Sequence, residues 1–258
     1  MFNKQLLAAI ITVIIALPVC AQEKIETDRP DQTESPYTAP KKYFQFEFGF
    51  NIEKDKSEGV KRTTLIHPTT LLKYGLNENI ELRAEFQSST TRLRSGNAKD
   101  LSTSFEPLEI GFKTKLWEER GLIPKTSFII HTTIPAIATK EFRQSKPAPN
   151  FRFTLQNTLS ENWSLGYNAG MEWDGETTEP TYTYTLAPGF TINEKWAGYF
   201  EVFGFIKNSE APEHSLDGGL YYFPNNNVKL DISAGYGISK VATDFYIALG
   251  ISFRFKGQ

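Results

Sequence analysis

The sequence predicts an all-β protein: a transmembrane, antiparallel, up-and-down β-barrel of about twelve strands behind a cleaved signal peptide. Three observations predict it. Stretches of about ten residues alternate apolar and polar side chains along nearly the whole chain. The links between them are by turns short and long. Three of the four tryptophans abut short links. Alternation puts one apolar face on each strand, and about 9–11 residues suffice for a tilted strand to cross a bilayer.

The last strand shows the pattern best. In Asp244–Phe255, residues Phe245, Ile247, Leu249, Ile251, Phe253 and Phe255 share one parity, and Tyr246, Ala248, Gly250, Ser252 and Arg254 the other. Its ending, Gly250-x-x-Phe253-x-Phe255, resembles the insertion signal of outer-membrane barrels, which implies the barrel-assembly machinery as a partner. Leu249 stands where that signal usually has a polar residue, and Lys256, Gly257 and Gln258 follow it.

At the other end, Lys4, the apolar run Leu6–Leu17 and the small residues Val19-Cys20-Ala21 predict a signal peptide over residues 1–21. The run is too short to cross a membrane as a helix. Cys20 raises a lipoprotein alternative, which Pro18 and Val19 disfavour; cleavage after Ala21 removes the only cysteine. Residues 22–42 are polar and proline-bearing, and predict a periplasmic tether or a plug for the barrel mouth. The plug reading rests on Asp28, Arg29, Asp31 and Glu34. Residues 43–258 form the barrel.

Twelve strands follow in order. Phe44, Phe46, Phe48, Phe50 and Ile52 set one face of the first, against Gln45, Glu47 and Asn51. The next are expected at 63–74, 80–87, 108–117, 125–134, 151–159, 163–173, 181–192, 196–206, 216–223, 228–238 and 244–255. The strand at 196–206 is the least regular, with aromatics on both parities. Short links fall at 75–79, 118–123, 160–162, 193–195 and 224–227. Longer ones fall at 53–62, 88–107, 135–150, 174–180, 207–215 and 239–243. Short periplasmic turns and long outer loops are the habit of outer-membrane barrels. Tyr74, Trp117, Trp163 and Trp196 each abut a short link and predict an aromatic girdle.

The composition is 40% hydrophobic and 14% aromatic with a formal net charge of −2. Mean hydropathy is −0.37, which excludes a helical membrane protein. A barrel can be this polar because half of each strand faces the lumen. The charge balance gives no sign of a nucleic-acid partner.

The run Thr27-Asp28-Arg29-Pro30-Asp31-Gln32-Thr33-Glu34-Ser35-Pro36 ahead of an aromatic first strand resembles a family of Bacteroidota outer-membrane barrels. Members are labelled transporters or phenol-degradation meta-pathway proteins. Gly75–Arg83 (GLNENIELR) and His214–Gly219 (HSLDGG) extend the resemblance along the chain. It implies passage of small, often aromatic or apolar solutes through the outer membrane.

The polar parity is then the candidate functional surface. It holds Glu81, Glu85, Glu109, Glu172, Glu201, Asp217 and Asp231, and Arg83, Lys113, Lys115, Arg152, Lys229 and Arg254. Confined charges of both signs predict paired networks, because an unpaired charge away from water is costly. That lining either holds the barrel's shape or selects small polar solutes. Outer-membrane lipid and a small solute are the expected partners, with no cofactor and no metal. Enzymatic function is not expected: none of His67, His131 and His214 precedes a serine by two residues, as outer-membrane phospholipases require. Lys140, Arg143 and Lys146 form a basic patch in the loop 135–150, which could meet lipopolysaccharide phosphates. Two other classes stay open: a non-transporting structural or adhesion barrel, and a soluble periplasmic sandwich or lipocalin-like binder.

Overall fold

The computed structural model describes residues 23–57, 59–96 and 98–258. The expected signal peptide lies outside the described residues. The strands are β1 (Tyr43–Ser57), β2 (Val60–Gly75), β3 (Ile80–Ser95), β4 (Ala98–Phe105), β5 (Leu108–Trp117), β6 (Lys125–Ile134) and β7 (Pro149–Thr158). They continue with β8 (Trp163–Glu172), β9 (Thr181–Thr191), β10 (Trp196–Ile206), β11 (Glu213–Asn225), β12 (Val228–Gly237) and β13 (Phe245–Lys256).

Apart from β4 and β5, which both pair with β3, each strand pairs antiparallel with its chain neighbours, and β1 pairs with β13 from Tyr43↔Lys256 to Lys54↔Phe245. That last pairing closes the sheet and leaves the barrel wall no open edge. β4 and β5 share one place in the wall. The end of β3 nearest its tip pairs with β4 and its base pairs with β5, with Glu106-Pro107 between them. The wall therefore has the expected twelve positions.

The main correction concerns two links expected as loops, 53–62 and 88–107. They are ribbon: β1 runs on to Ser57 and β2 starts at Val60, while β3 reaches Ser95 and turns back as β4. The physical reason is plain. Both faces of a ribbon standing clear of the membrane meet water, so apolar alternation is lost. The threonines at 63, 64, 90, 91 and 103 still favour strand.

The polarity of the wall is that of a membrane barrel. Phe50, Phe200 and Leu249 are 53%, 60% and 54% exposed on the outside, while Glu47, Glu81 and Lys113 are fully buried inside. A soluble sandwich would bury the first set and expose the second, so this distribution excludes it. Trp117, Trp163 and Trp196 are exposed on the outer face at the short-turn rim, and Tyr74 packs there against Phe44 in a tilted pair with ring centroids 4.7 Å apart. Asn77 and Asn193 close two short turns, each accepting two backbone N–H groups with its side-chain oxygen.

Candidate functional site

Residues 23–42 enter the barrel from the short-turn end. The Ile25 N–H donates to the Asn226 carbonyl at 2.9 Å, and Arg254 donates to the Glu23 carbonyl. The chain leaves by the same rim, where the Lys42 N–H meets the Gly75 carbonyl at 2.7 Å. Between these points it forms a compact loop. The Ser35 N–H donates to Asp28 at 2.9 Å, which ties the two limbs together.

The centre of the loop is Asp28. Its carboxylate is met by Lys73 at 2.6 Å, Arg83 at 2.7 Å and Lys113 at 2.8 Å, from β2, β3 and β5. The surplus positive charge is balanced by the wall itself: Glu47 lies 2.6 Å from Lys73 and Glu81 2.9 Å from Arg83. Glu34 adds contacts at 2.7 Å to Arg83 and 3.5 Å to Arg152. Burial pushes the Asp28 carboxyl up, but Lys113, Lys73 and Arg83 outweigh it and hold the group well below the usual range. Burial likewise raises Glu34, and Arg83 leads the cations that bring it below its ordinary value.

Arg29 occupies a slot made by two glycines. Gly49 and Gly250 are Cα partners across β1 and β13. A Cβ at Gly49 would overlap the Arg29 guanidinium, and one at Gly250 would lie 2.7 Å from Arg29 Nε and 2.6 Å from the Asp231 carboxylate. The guanidinium donates to Thr69 at 2.9 Å and to Asp231 and the Leu249 carbonyl at 3.3 Å each.

On the β10–β12 side the chemistry changes. The Gln32 N–H and the Thr33 hydroxyl donate to Glu201 at 2.8 and 2.5 Å. Tyr221 donates to Asp31 at 3.4 Å, and Tyr199 and Tyr246 donate to Asp217. Lys229 donates to the Arg29 carbonyl at 2.5 Å and to the Thr27 hydroxyl, and sits 3.9 Å over the Tyr221 ring. Burial pushes Asp31 up to about 7, against the pull of Lys229.

Further round the wall, Asn168 brackets the backbone of Glu34 at 2.7 and 3.0 Å, and Ser127 donates to the Pro36 carbonyl at 2.5 Å. The segment thus lies across the lumen. One cavity of about 480 Å³ lies on its long-loop side, lined by Glu53, Arg152, Glu172, Phe203, Phe205 and Tyr246 among others. Another of about 310 Å³ lies on its short-turn side. Residues of 24–36 line both.

Among the residues expected on the lumen face, Glu81, Arg83, Lys113, Glu201, Asp217, Lys229, Asp231 and Arg254 are buried. Glu85, Glu109, Arg152 and Glu172 line the larger cavity. Lys115 keeps the lumen parity, in register with the buried Ser127, and sits at the short-turn rim 3.9 Å from Glu118. Sequence reasoning passed over Gln45, Glu47, Lys73 and His131, all buried. Lys73 was hidden because the register of β2 shifts between Ile66 and Thr69, which breaks the parity of the strand. His131 accepts from Arg83 Nε at 2.9 Å, and Gly111 beside it leaves the room it needs. The mixed parity of β10 also has a cause: Tyr199 and Phe203 are buried on the lumen side, while Phe200 faces out. Among the described residues, no group of three or more acidic, histidine or cysteine side chains could hold a metal.

Comparison with known proteins follows the same lines. An outer-membrane channel from Pseudomonas putida F1 superposes with a TM-score of 0.68 at 12% identity, over 88% of this chain and 99% of that one. The KdgM porin gives 0.53 at 9% identity, over 82% and 99%. The translocator domain of the autotransporter NalP from Neisseria meningitidis gives 0.51 at 12%, over 83% and 88%. These likenesses are of fold. No curated protein matches the chain. Residues 27–255 match the family model described as "Putative MetA-pathway of phenol degradation".

Proposed function

We propose that this chain, which belongs to the family described as "Putative MetA-pathway of phenol degradation", is a passive outer-membrane channel for small solutes, closed at rest by its own residues 23–42. The observation that carries the reading is the segment lying between two cavities of about 480 and 310 Å³, bound to both sides of the wall. A structural scaffold has no need of a lumen divided in this way. A channel with a removable divider does.

The solute follows from the cavity on the long-loop side. Phe203, Phe205 and Tyr246 offer it aromatic surface beside carboxylates and Arg152. That suits a small aromatic molecule carrying a polar group, in keeping with the family description. The Thr27–Pro36 run supports a source among the Bacteroidota, and the Gly250-x-x-Phe253-x-Phe255 ending supports reading of β13 by the barrel-assembly machinery. The reading assigns no catalytic step to the chain. The exposed rings of Trp117, Trp163 and Trp196 set the periplasmic edge of the membrane.

The test is single-channel conductance in a planar bilayer, with and without residues 25–36. The intact protein should show rare, brief openings and the deletion frequent, larger ones. Equal conductance from two correctly folded barrels would defeat the divider. Silence from both, with folding shown by heat-modifiable migration, would defeat the channel and favour the scaffold.

A further inference from the structure

Four strands continue past the apolar belt as linked hairpins, and their register runs unbroken across all four. Lys56, Lys61, Arg94 and Lys99 are successive Cα partners on β1, β2, β3 and β4. Partners in register point to the same face of a sheet, so four cations stand in one row. The row beneath reads Lys54, Thr63, Arg92 and Leu101, and the one beneath that Ile52, Leu65, Thr90 and Thr103. Ile52 and Leu65 are exposed on the outer, apolar face. A period of two carries Lys54 and Lys56 onto that same face. The acids Asp55 and Asp100 fall on the opposite parity, with Arg62.

All six cations are exposed, and none forms an ion pair with another described residue. Like charges directly opposite one another weaken a sheet, so the row does not serve the fold. Its height is informative. On β1 the outward residues Phe44, Phe46, Phe48, Phe50 and Ile52 span four intervals of about 7 Å, roughly 27 Å along a tilted strand. That accounts for most of an apolar band about 25 Å tall. The first cations come one row later, and the row of four one row after that. This is the level of the lipid headgroups on the long-loop side.

We propose that this face binds the phosphate groups of phosphorylated glycolipid headgroups in the outer leaflet. Arginine and lysine in a fixed row offer several donors at a strand spacing of about 4.8 Å, and charge-assisted contacts to phosphate are the strong ones. The site lies apart from the lumen, so it stands or falls separately from the channel. It also differs from the basic loop 135–150, whose Ser145 is tied at 2.7 Å to Glu176 in the neighbouring loop.

The test uses the full chain in phosphatidylcholine nanodiscs containing one part in ten of bisphosphorylated lipid A. Native mass spectrometry counts the lipid A retained. The variant Lys56→Gln, Lys61→Gln, Arg94→Gln, Lys99→Gln should lose retention at least tenfold, since each cation near an anionic surface contributes about fivefold at low salt. Its heat-modifiable migration should be unchanged, which shows that it is folded. The Lys140→Gln, Arg143→Gln, Lys146→Gln variant should retain lipid A as the parent does. Equal retention by parent and row variant would overturn the proposal. So would equal retention of dephosphorylated lipid A, which would place the contact on acyl chains. Displacement of lipid A by an equimolar acidic peptide would also overturn it, and would assign the face to a protein partner.

Discussion

Asp28 and Asp31 stand three residues apart in one loop and meet opposite walls. Asp28 is gripped by Lys73, Arg83 and Lys113 at 2.6–2.8 Å. Asp31 faces Tyr221 on β11, where burial and the nearby Asp217 raise it and Lys229 on β12 opposes them. One carboxylate is docked by charge pairing. The other is docked as a group that burial prefers to keep protonated. For the divider proposed above, the difference teaches which side lets go first. The cationic side holds at any pH where carboxylates are ionised, and the acidic side weakens as its proton is withdrawn.

The largest effect is expected where the grip is strongest. Asp28→Ala removes the shared partner of three buried cations and the tie to Ser35. Removing one member of a buried ion network costs about 3–5 kcal/mol. The barrel keeps Glu47 and Glu81 as partners for Lys73 and Arg83, so the loss falls on docking of the segment rather than on the wall. Open probability in a planar bilayer should rise at least a hundredfold, close to that of the 25–36 deletion. An Asp28→Ala channel that stays shut would show that the cationic wall does not hold the divider.

How much of this could be read from residues alone follows from where water is. Strand positions within the membrane were legible, because one face meets lipid and the other meets polar groups: 125–134 and 196–206 agree with β6 and β10 to the residue. The ribbons at 53–57 and 88–105 were not, because water lies on both of their faces. The acids and bases of the loop and wall were legible as a set. Their partners were not, since pairing Asp28 with Lys73 and Lys113 depends on how a proline-rich loop folds inside a ring that alternation does not position. Arg29 is the clearest case. Its slot exists because Gly49 and Gly250 come into register across the closing seam, and no local pattern announces that.

That slot supplies the next effect in size. Gly49→Val places methyl groups where the Arg29 guanidinium lies. The displaced Arg29 loses Thr69 and Asp231 but leaves the Asp28 cluster in place. Open probability should rise about tenfold, roughly the worth of one charge-assisted contact. Pairing it with Arg29→Ala sharpens the point: the double variant should open no more than either single one. An additive double variant would mean that the valine acts on the wall rather than on Arg29.

The last effect is the one that separates the two walls by pH. Docked Asp31 titrates near 7, against 3.8 for the free carboxyl. Below about 3.8 both states carry the proton and docking is strongest. As pH rises, the released segment ionises first, so docking weakens until about 7 and then levels off. Asp28 and Glu34 have the opposite sign: their docked values lie below the free ones, so their contribution is lost only as acid protonates them. Open probability should therefore rise by up to about 50-fold between pH 5 and 7, with a separate rise below pH 4. Asp31→Asn keeps a neutral group at the same place in the loop, beside Tyr221, Glu201, Asp217 and Lys229. It should flatten the rise between pH 5 and 7 and leave the acid limb untouched. A persistent rise in the asparagine variant would show that Asp31 does not carry the neutral-pH proton, and would move the weak side of the segment away from it.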